Sequence, residues 1–140
     1  MTKDGKMKTK IRLEGFTLTV KNVKRSVDFY TKKLGFVCEW DAAPHFAMLR
    51  MGGPGGGTIG LLAWSEAKKE GILQTSAKQK RAIHIELSTD DLDGLYKELR
   101  KKGVQFHTPP HDEPWERSAT ALDPDGYAVE IAQGRRGKKQ

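Results

Sequence analysis

Arg81-Ala82-Ile83-His84-Ile85-Glu86-Leu87-Ser88 alternates apolar and polar residues and runs directly into the helical pattern that opens at Asp90-Asp91-Leu92. A strand sends successive side chains to opposite faces, so Ile83, Ile85 and Leu87 share one face and His84, Glu86 and Ser88 the other. Half-buried in a sheet, such a strand presents an imidazole beside a carboxylate. That polar face reads as a metal site, an acid–base site or the wall of a binding cleft.

Downstream, Leu92, Leu95, Tyr96 and Leu99 fall on one helical stripe and Gly103 supplies a left-handed stop. Strands are expected at residues 104–108, 117–122 and 128–132, with Asp123-Pro124-Asp125-Gly126 as a turn before the last. Residues 109–114, which hold Pro109, Pro110 and Pro114, read as a proline-stiffened loop. Upstream, residues 11–20 form a strand with Phe16, Leu18 and Val20 on one face and Gly15, Thr17 and Thr19 on the other. Asn22 caps a helix whose Val23, Val27, Tyr30 and Leu34 align before Gly35, and strands follow at 36–41, 45–51 and 58–64. Both halves therefore read βαβββ. Gly15 maps to His84, Leu18 to Leu87 and Val23 to Leu92 at an offset of 69 residues, and Gly35 maps to Gly103 at 68. A duplication at that period pairs two similar sheets around a shared cleft, into which the polar faces of strands 1 and 5 look.

The 140 residues fit a single domain of ordinary size. It is expected over 11–133, with modules at 11–64 and 82–133 and a polar linker at 65–81 that has room for a short surface helix. The formal net charge of +7 lies at the ends. Residues 1–10 carry Lys3, Lys6, Lys8 and Lys10 against Asp4, a net +3, and residues 134–140 carry Arg135, Arg136, Lys138 and Lys139, a net +4. These ends read as flexible basic tails, with weak non-specific polyanion contact as the alternative, around a neutral body in which nothing points to a basic nucleic-acid-binding face. Cys38 is the only cysteine, so no intramolecular disulfide forms, and no apolar stretch reaches the roughly 20 residues of a spanning helix. The expectation is a cytoplasmic protein without membrane or specific nucleic-acid partners.

Two strings resemble the vicinal oxygen chelate superfamily, which holds glyoxalase I, extradiol dioxygenases and bleomycin-resistance proteins. The first is residues 18–36, with Ser26-Val27-Asp28-Phe29-Tyr30 and Leu34-Gly35-Phe36; the second is His84-Ile85-Glu86-Leu87 followed by Leu122-Asp123-Pro124-Asp125-Gly126-Tyr127-Ala128-Val129-Glu130-Ile131. The resemblance implies an α+β fold of two βαβββ modules, a homodimer and a cleft that in many members holds a divalent metal. It places family ligand positions at His84 and Glu130 in the second module. In the first they fall on Gly15 and on Gly60 or Leu61, which offer no side-chain ligand; glycine there is expected to open the cleft. This departure disfavours glyoxalase I activity itself.

With Glu86 on the face of His84, the expected metal set is His84, Glu86 and Glu130, suited to Mn, Fe, Ni or Zn. Glu86 and Glu130 are the candidate catalytic carboxylates, Glu86 as third ligand or as general base. The implied function is metal-dependent lyase, isomerase or dioxygenase chemistry on a small oxygenated molecule. The alternative is metal-free sequestration of a ligand, with His84 and Glu130 only hydrogen-bonded across adjacent strands. Thr17, Thr19 and Trp115 are the candidate cleft residues, Trp115 for stacking, ahead of Trp40 and Trp64. The glycine run at residues 52–57 reads as a hairpin, since no Gly-Lys-Ser/Thr follows it.

Overall fold

The computed structural model describes residues 8–53, 56–71 and 76–134. Most of the two basic tails, and residues 54 and 55 of the glycine hairpin, lie outside them. Two four-stranded sheets form the architecture, one from each half. In the first, β1 (Gly15–Val20), β2 (Val37–Ala42), β3 (Phe46–Arg50) and β4 (Thr58–Ala63) take the order β1-β4-β3-β2. In the second, β5 (His84–Ser88), β6 (Gln105–Glu113), β7 (Glu116–Leu122) and β8 (Ala128–Gln133) take the order β5-β8-β7-β6. Each module opens with a strand parallel to its last, so β1 lies beside β4 and β5 beside β8. The duplicated βαβββ plan is the one the glycine stops and alternation predict.

Helix α1 (Val23–Asp28) starts where the Asn22 side chain accepts the Arg25 amide, and it continues as a π-helical turn over Phe29–Lys33. Helix α4 (Leu92–Lys101) starts in the same way, with Asp91 accepting the Gly94 amide. The linker carries α2 (Trp64–Lys69) and α3 (Ala77–Lys80). Trp64 opens α2 rather than closing β4, and Ala67 of α2 is fully buried. Leu18, Val20 and Leu61 from the first sheet join Leu92, Leu99, Val129 and Ile131 from the second half in one apolar core.

A buried polar latch ties the halves together. Tyr30, fully buried, donates to Asp123 Oδ2 at 2.7 Å, while Asp123 Oδ1 accepts the amides of Asp125 and Tyr127 at 2.9 and 2.8 Å. Asp125 accepts the Lys21 amide at 3.0 Å, and the Tyr127 hydroxyl donates to the Thr19 carbonyl at 2.8 Å. The turn motif of the second half thus anchors β1 and α1 of the first. Burial and the nearby Asp123 charge push the Tyr30 phenol far up, and burial raises Asp123 even against the bond that Tyr30 donates.

Three expectations are corrected. Residues 109–114 are not a loop: β6 runs through both Pro109 and Pro110 to Glu113. Proline is tolerated there because β6 is an edge strand, and the pairing with β7 is irregular between Phe106 and His111. Strand 1 begins at Gly15, not residue 11, and Phe16 is 68% exposed instead of sharing the burial of Leu18 and Val20. Gly15 does not open the cleft. At φ +154° a Cβ would overlap the Thr58 carbonyl oxygen, so glycine is what lets β1 lie against β4 here. At Gly60 a Cβ would come within 2.8 Å of Thr17 Oγ1 and 3.1 Å of the Phe46 ring.

Candidate metal centre and the adjoining cavity

The parallel pairing of β5 with β8 sets His84 opposite Ala128, Glu86 opposite Glu130 and Ser88 opposite Ala132. Residues directly opposite share a face, so the polar residues of β5 and Glu130 rise from the same side of the sheet. One ligand atom from each of His84, Glu86 and Glu130 lies within 4.8 Å of the others. His84 Nδ1 is 4.0 Å from Glu130 Oε1. The equivalent register in the first module sets Thr17 opposite Gly60, so the counterpart of Glu130 is Gly60 rather than Leu61.

Glu130 titrates above the ordinary glutamate range. Burial is the largest cause, followed by the charge of Glu86, a hydrogen bond with Glu86 and the charge of Glu116, while His84 acts in the opposite direction. Packing two carboxyl groups at hydrogen-bond range stores repulsion that either a shared proton or a cation relieves. The set suits a divalent ion: one imidazole and two carboxylates are the donors that Mn, Fe, Ni and Zn accept. Three donors about 2.1 Å from one ion stand about 3.0–3.6 Å apart, so a separation of 4.8 Å closes by about 1–2 Å when the side chains gather around it.

The sequence reading passed over Glu116, which is 7% exposed and opens β7. Thr120 pairs with Glu130, and Ser118 and Glu116 follow at alternate positions on the same strand, which puts Glu116 on the donor face. The signal was the alternation itself, which extends one residue before the expected start of the strand.

Beside β5 lies a cavity of about 720 Å³. His84, Glu86 and Ser88 line it together with Gly15, Thr58 and the apolar side chains of Phe16, Phe36, Met51, Ile59, Ile85 and Leu87. Three residues expected in the cleft lie outside this lining. Thr17 is exposed on β1, Thr19 is engaged by Tyr127, and Trp115 sits at the tip of the β6–β7 hairpin, 58% exposed. Trp40 packs edge-on against Phe46, and Trp64 lies under the Lys68 ammonium. Two of the other histidines have carboxylate partners of their own: His45 pairs with Glu66 at 2.8 Å and His111 with Glu113 at 2.9 Å.

With this geometry in place, residues 12–131 match the model of the Glyoxalase/Bleomycin resistance protein/Dioxygenase superfamily. The chain belongs to that superfamily. It is similar to YraH, an uncharacterized protein of Bacillus subtilis (strain 168), with 27% identity over 86% of this chain and 97% of that one. It is also similar to lactoylglutathione lyase of Schizosaccharomyces pombe, with 28% identity over 86% of the chain, although it spans only 46% of that protein. Among solved structures, a glyoxalase/bleomycin resistance protein/dioxygenase from Nocardioides superposes with a TM-score of 0.74 at 25% identity, covering 94% of this chain and 89% of the other. Among the described residues no helix is long and apolar enough to cross a membrane.

Proposed function

We propose that this superfamily member binds a divalent metal through His84, Glu86 and Glu130 and performs lyase, isomerase or dioxygenase chemistry on a small molecule with adjacent oxygens. The observation that carries the reading is the convergence of one imidazole and two carboxylates within 4.8 Å. When bound, the metal polarises an oxygen of the substrate as a Lewis acid. The chain's own part is to hold the donors on two paired strands, leave the imidazole half-exposed to an incoming ligand, and keep Glu86 and Glu130 close enough to pass a proton. Glu86 serves either as third ligand or as general base beside a coordinated carbonyl. We read the working unit as a homodimer, which sedimentation equilibrium tests.

One observation favours a metal-free alternative. Glu86 and Glu130 already hydrogen-bond each other, so a shared proton satisfies the pair without an ion, as in a sequestering protein. Calorimetric titration with catechol, a probe with two adjacent oxygens, separates the two readings. Binding that requires Mn(II) and vanishes in excess chelator supports the metal reading. Equal affinity with and without chelator refutes it in favour of sequestration.

A further inference from the structure

Residues 8–14 keep the alternation of a strand, with Lys8, Lys10, Arg12 and Glu14 between Thr9, Ile11 and Leu13, yet they belong to neither sheet. Arg12 Nε stands 3.7 Å from Glu14 Oε2, so side chains two residues apart share one side of the segment, as in an extended chain. Ile11 and Leu13 are 81% and 83% exposed. The Glu14 carbonyl, which accepts the Thr58 hydroxyl, ties the end of this arm to β4. Lys8, Lys10 and Arg12 against Glu14 leave it a net +2. An apolar side without a cover and a basic side describe a strand that lacks its neighbour.

Strand β2 is its complement. It ends the first sheet, so one side of its backbone has no strand beside it. The register with β3 breaks between Cys38 and Trp40, which makes Glu39 the extra residue of a bulge and sets Val37 and Trp40, opposite Arg50 and Met48, on one face. Both are largely bare, at 64% and 59% exposed. They stand one repeat apart along the ladder, the spacing of Ile11 and Leu13. Glu39 and Asp41 give β2 two negative charges, one of which meets Arg50 at 2.7 Å. The edge strand β6 is less suited, because Pro109 and Pro110 have no amide to donate. The arm does not reach its own β2, which lies across the sheet from β1, three strand spacings or about 14 Å away. Crossing takes about four of its seven residues and leaves too few to pair. Two arms paired about Ile11 would set Lys10 against Arg12, like charges face to face. We propose that residues 8–14 of one copy add as a strand to the β2 edge of a second copy, with Ile11 and Leu13 on Val37 and Trp40 and the basic side chains toward Glu39 and Asp41. Main-chain bonds supply the affinity and the alternating side chains the register; reciprocal exchange closes a twofold dimer. The inference rests on the homodimer reading and is independent of the metal.

Sedimentation equilibrium on the full chain tests it. Ile11→Glu combined with Leu13→Glu is expected to raise the dimer dissociation constant by about 100-fold or more, with the circular dichroism spectrum unchanged because neither side chain belongs to the core. Asp41→Lys is expected to weaken the dimer about tenfold, and Lys10→Asp with Arg12→Asp in the same chain to restore it. Asp41 also accepts the Ala43 amide, so a cross-link provides a reading that leaves it in place. Cys38, the only cysteine, lies in β2. Chains carrying Lys10→Cys or Arg12→Cys together with Cys38→Ser are mixed with wild type and exposed to oxidised glutathione. A disulfide that joins the two different chains supports the inference. Its absence at both positions, or bonds between two copies of the variant alone, overturns it. A dimer that withstands the arm substitutions also overturns it and leaves the homodimer reading standing, whereas a monomeric wild type overturns both.

Discussion

Replacing Tyr30 by Phe removes a single hydroxyl from the latch between the modules. The ring remains, packed edge-on against Phe29 and Phe36 at centroid distances of 5.1 and 5.4 Å, so no cavity larger than one oxygen opens. What is lost is a hydrogen bond of 2.7 Å to Asp123, whose side chain stays buried. A bond to an ionised group contributes about 1.5–3 kcal/mol, and Asp123 retains its two amide donors, so a loss of about 2 kcal/mol is expected near pH 7. For a chain of this size that lowers the melting temperature by roughly 6–8 °C. Asp123 titrates above its ordinary value in the fold, so the stability linked to its protonation is fully present below about pH 3.9 and is lost as pH rises through the folded value. The Tyr30 bond lowers that value, and Tyr30→Phe therefore raises it further. Once Asp123 is protonated the missing bond is a neutral one, and the penalty shrinks to about 1 kcal/mol. Urea unfolding at pH 7 and at a pH low enough to protonate Asp123 measures both. A change below about 0.5 kcal/mol at pH 7, or a penalty larger in acid, would refute the reasoning.

Gly15→Ala forces a Cβ onto the Thr58 carbonyl at a positive φ and is expected to cost roughly 1–3 kcal/mol in urea unfolding; for the same reason Gly15→His should not supply a further metal ligand. His111 titrates above its ordinary value, through the Pro109 carbonyl first and Glu113 second. Its contribution to stability is present below about pH 6.5 and lost as pH rises through the folded value, and NMR titration should show a partial return toward 6.5 in Glu113→Gln. Trp115→Ala should leave stability within about 0.5 kcal/mol, because the ring stands at an exposed hairpin tip.

The duplicated plan was legible because its signals are local. Asn22 and Asp91 cap helices, Gly35 and Gly103 end them, and two-residue alternation marks β1 and β5. The donor cluster was legible in two steps, with the resemblance placing His84 and Glu130 and strand periodicity adding Glu86. Other features depend on which strand lies beside which, and the order of residues does not carry that. Pro109 and Pro110 read as breakers until β6 is known to be an edge strand. Phe16 alternates like a core residue, yet it stands at the end of β1 where burial does not reach it. Gly15 looks like open space until the parallel register brings the Thr58 carbonyl against it. The cavity joins Phe16 and Met51 of one module to Ile85 and Leu87 of the other, a meeting that no single segment foreshadows.

The central claim is that His84, Glu86 and Glu130 form a metal centre, and its most direct test is the metal content of protein purified without chelator, measured by mass spectrometry for the wild type, His84→Ala and Glu130→Gln. The account predicts about one divalent ion per chain in the wild type and its loss from both variants. Metal far below one ion per chain in the wild type, at a level that neither substitution changes, would contradict it.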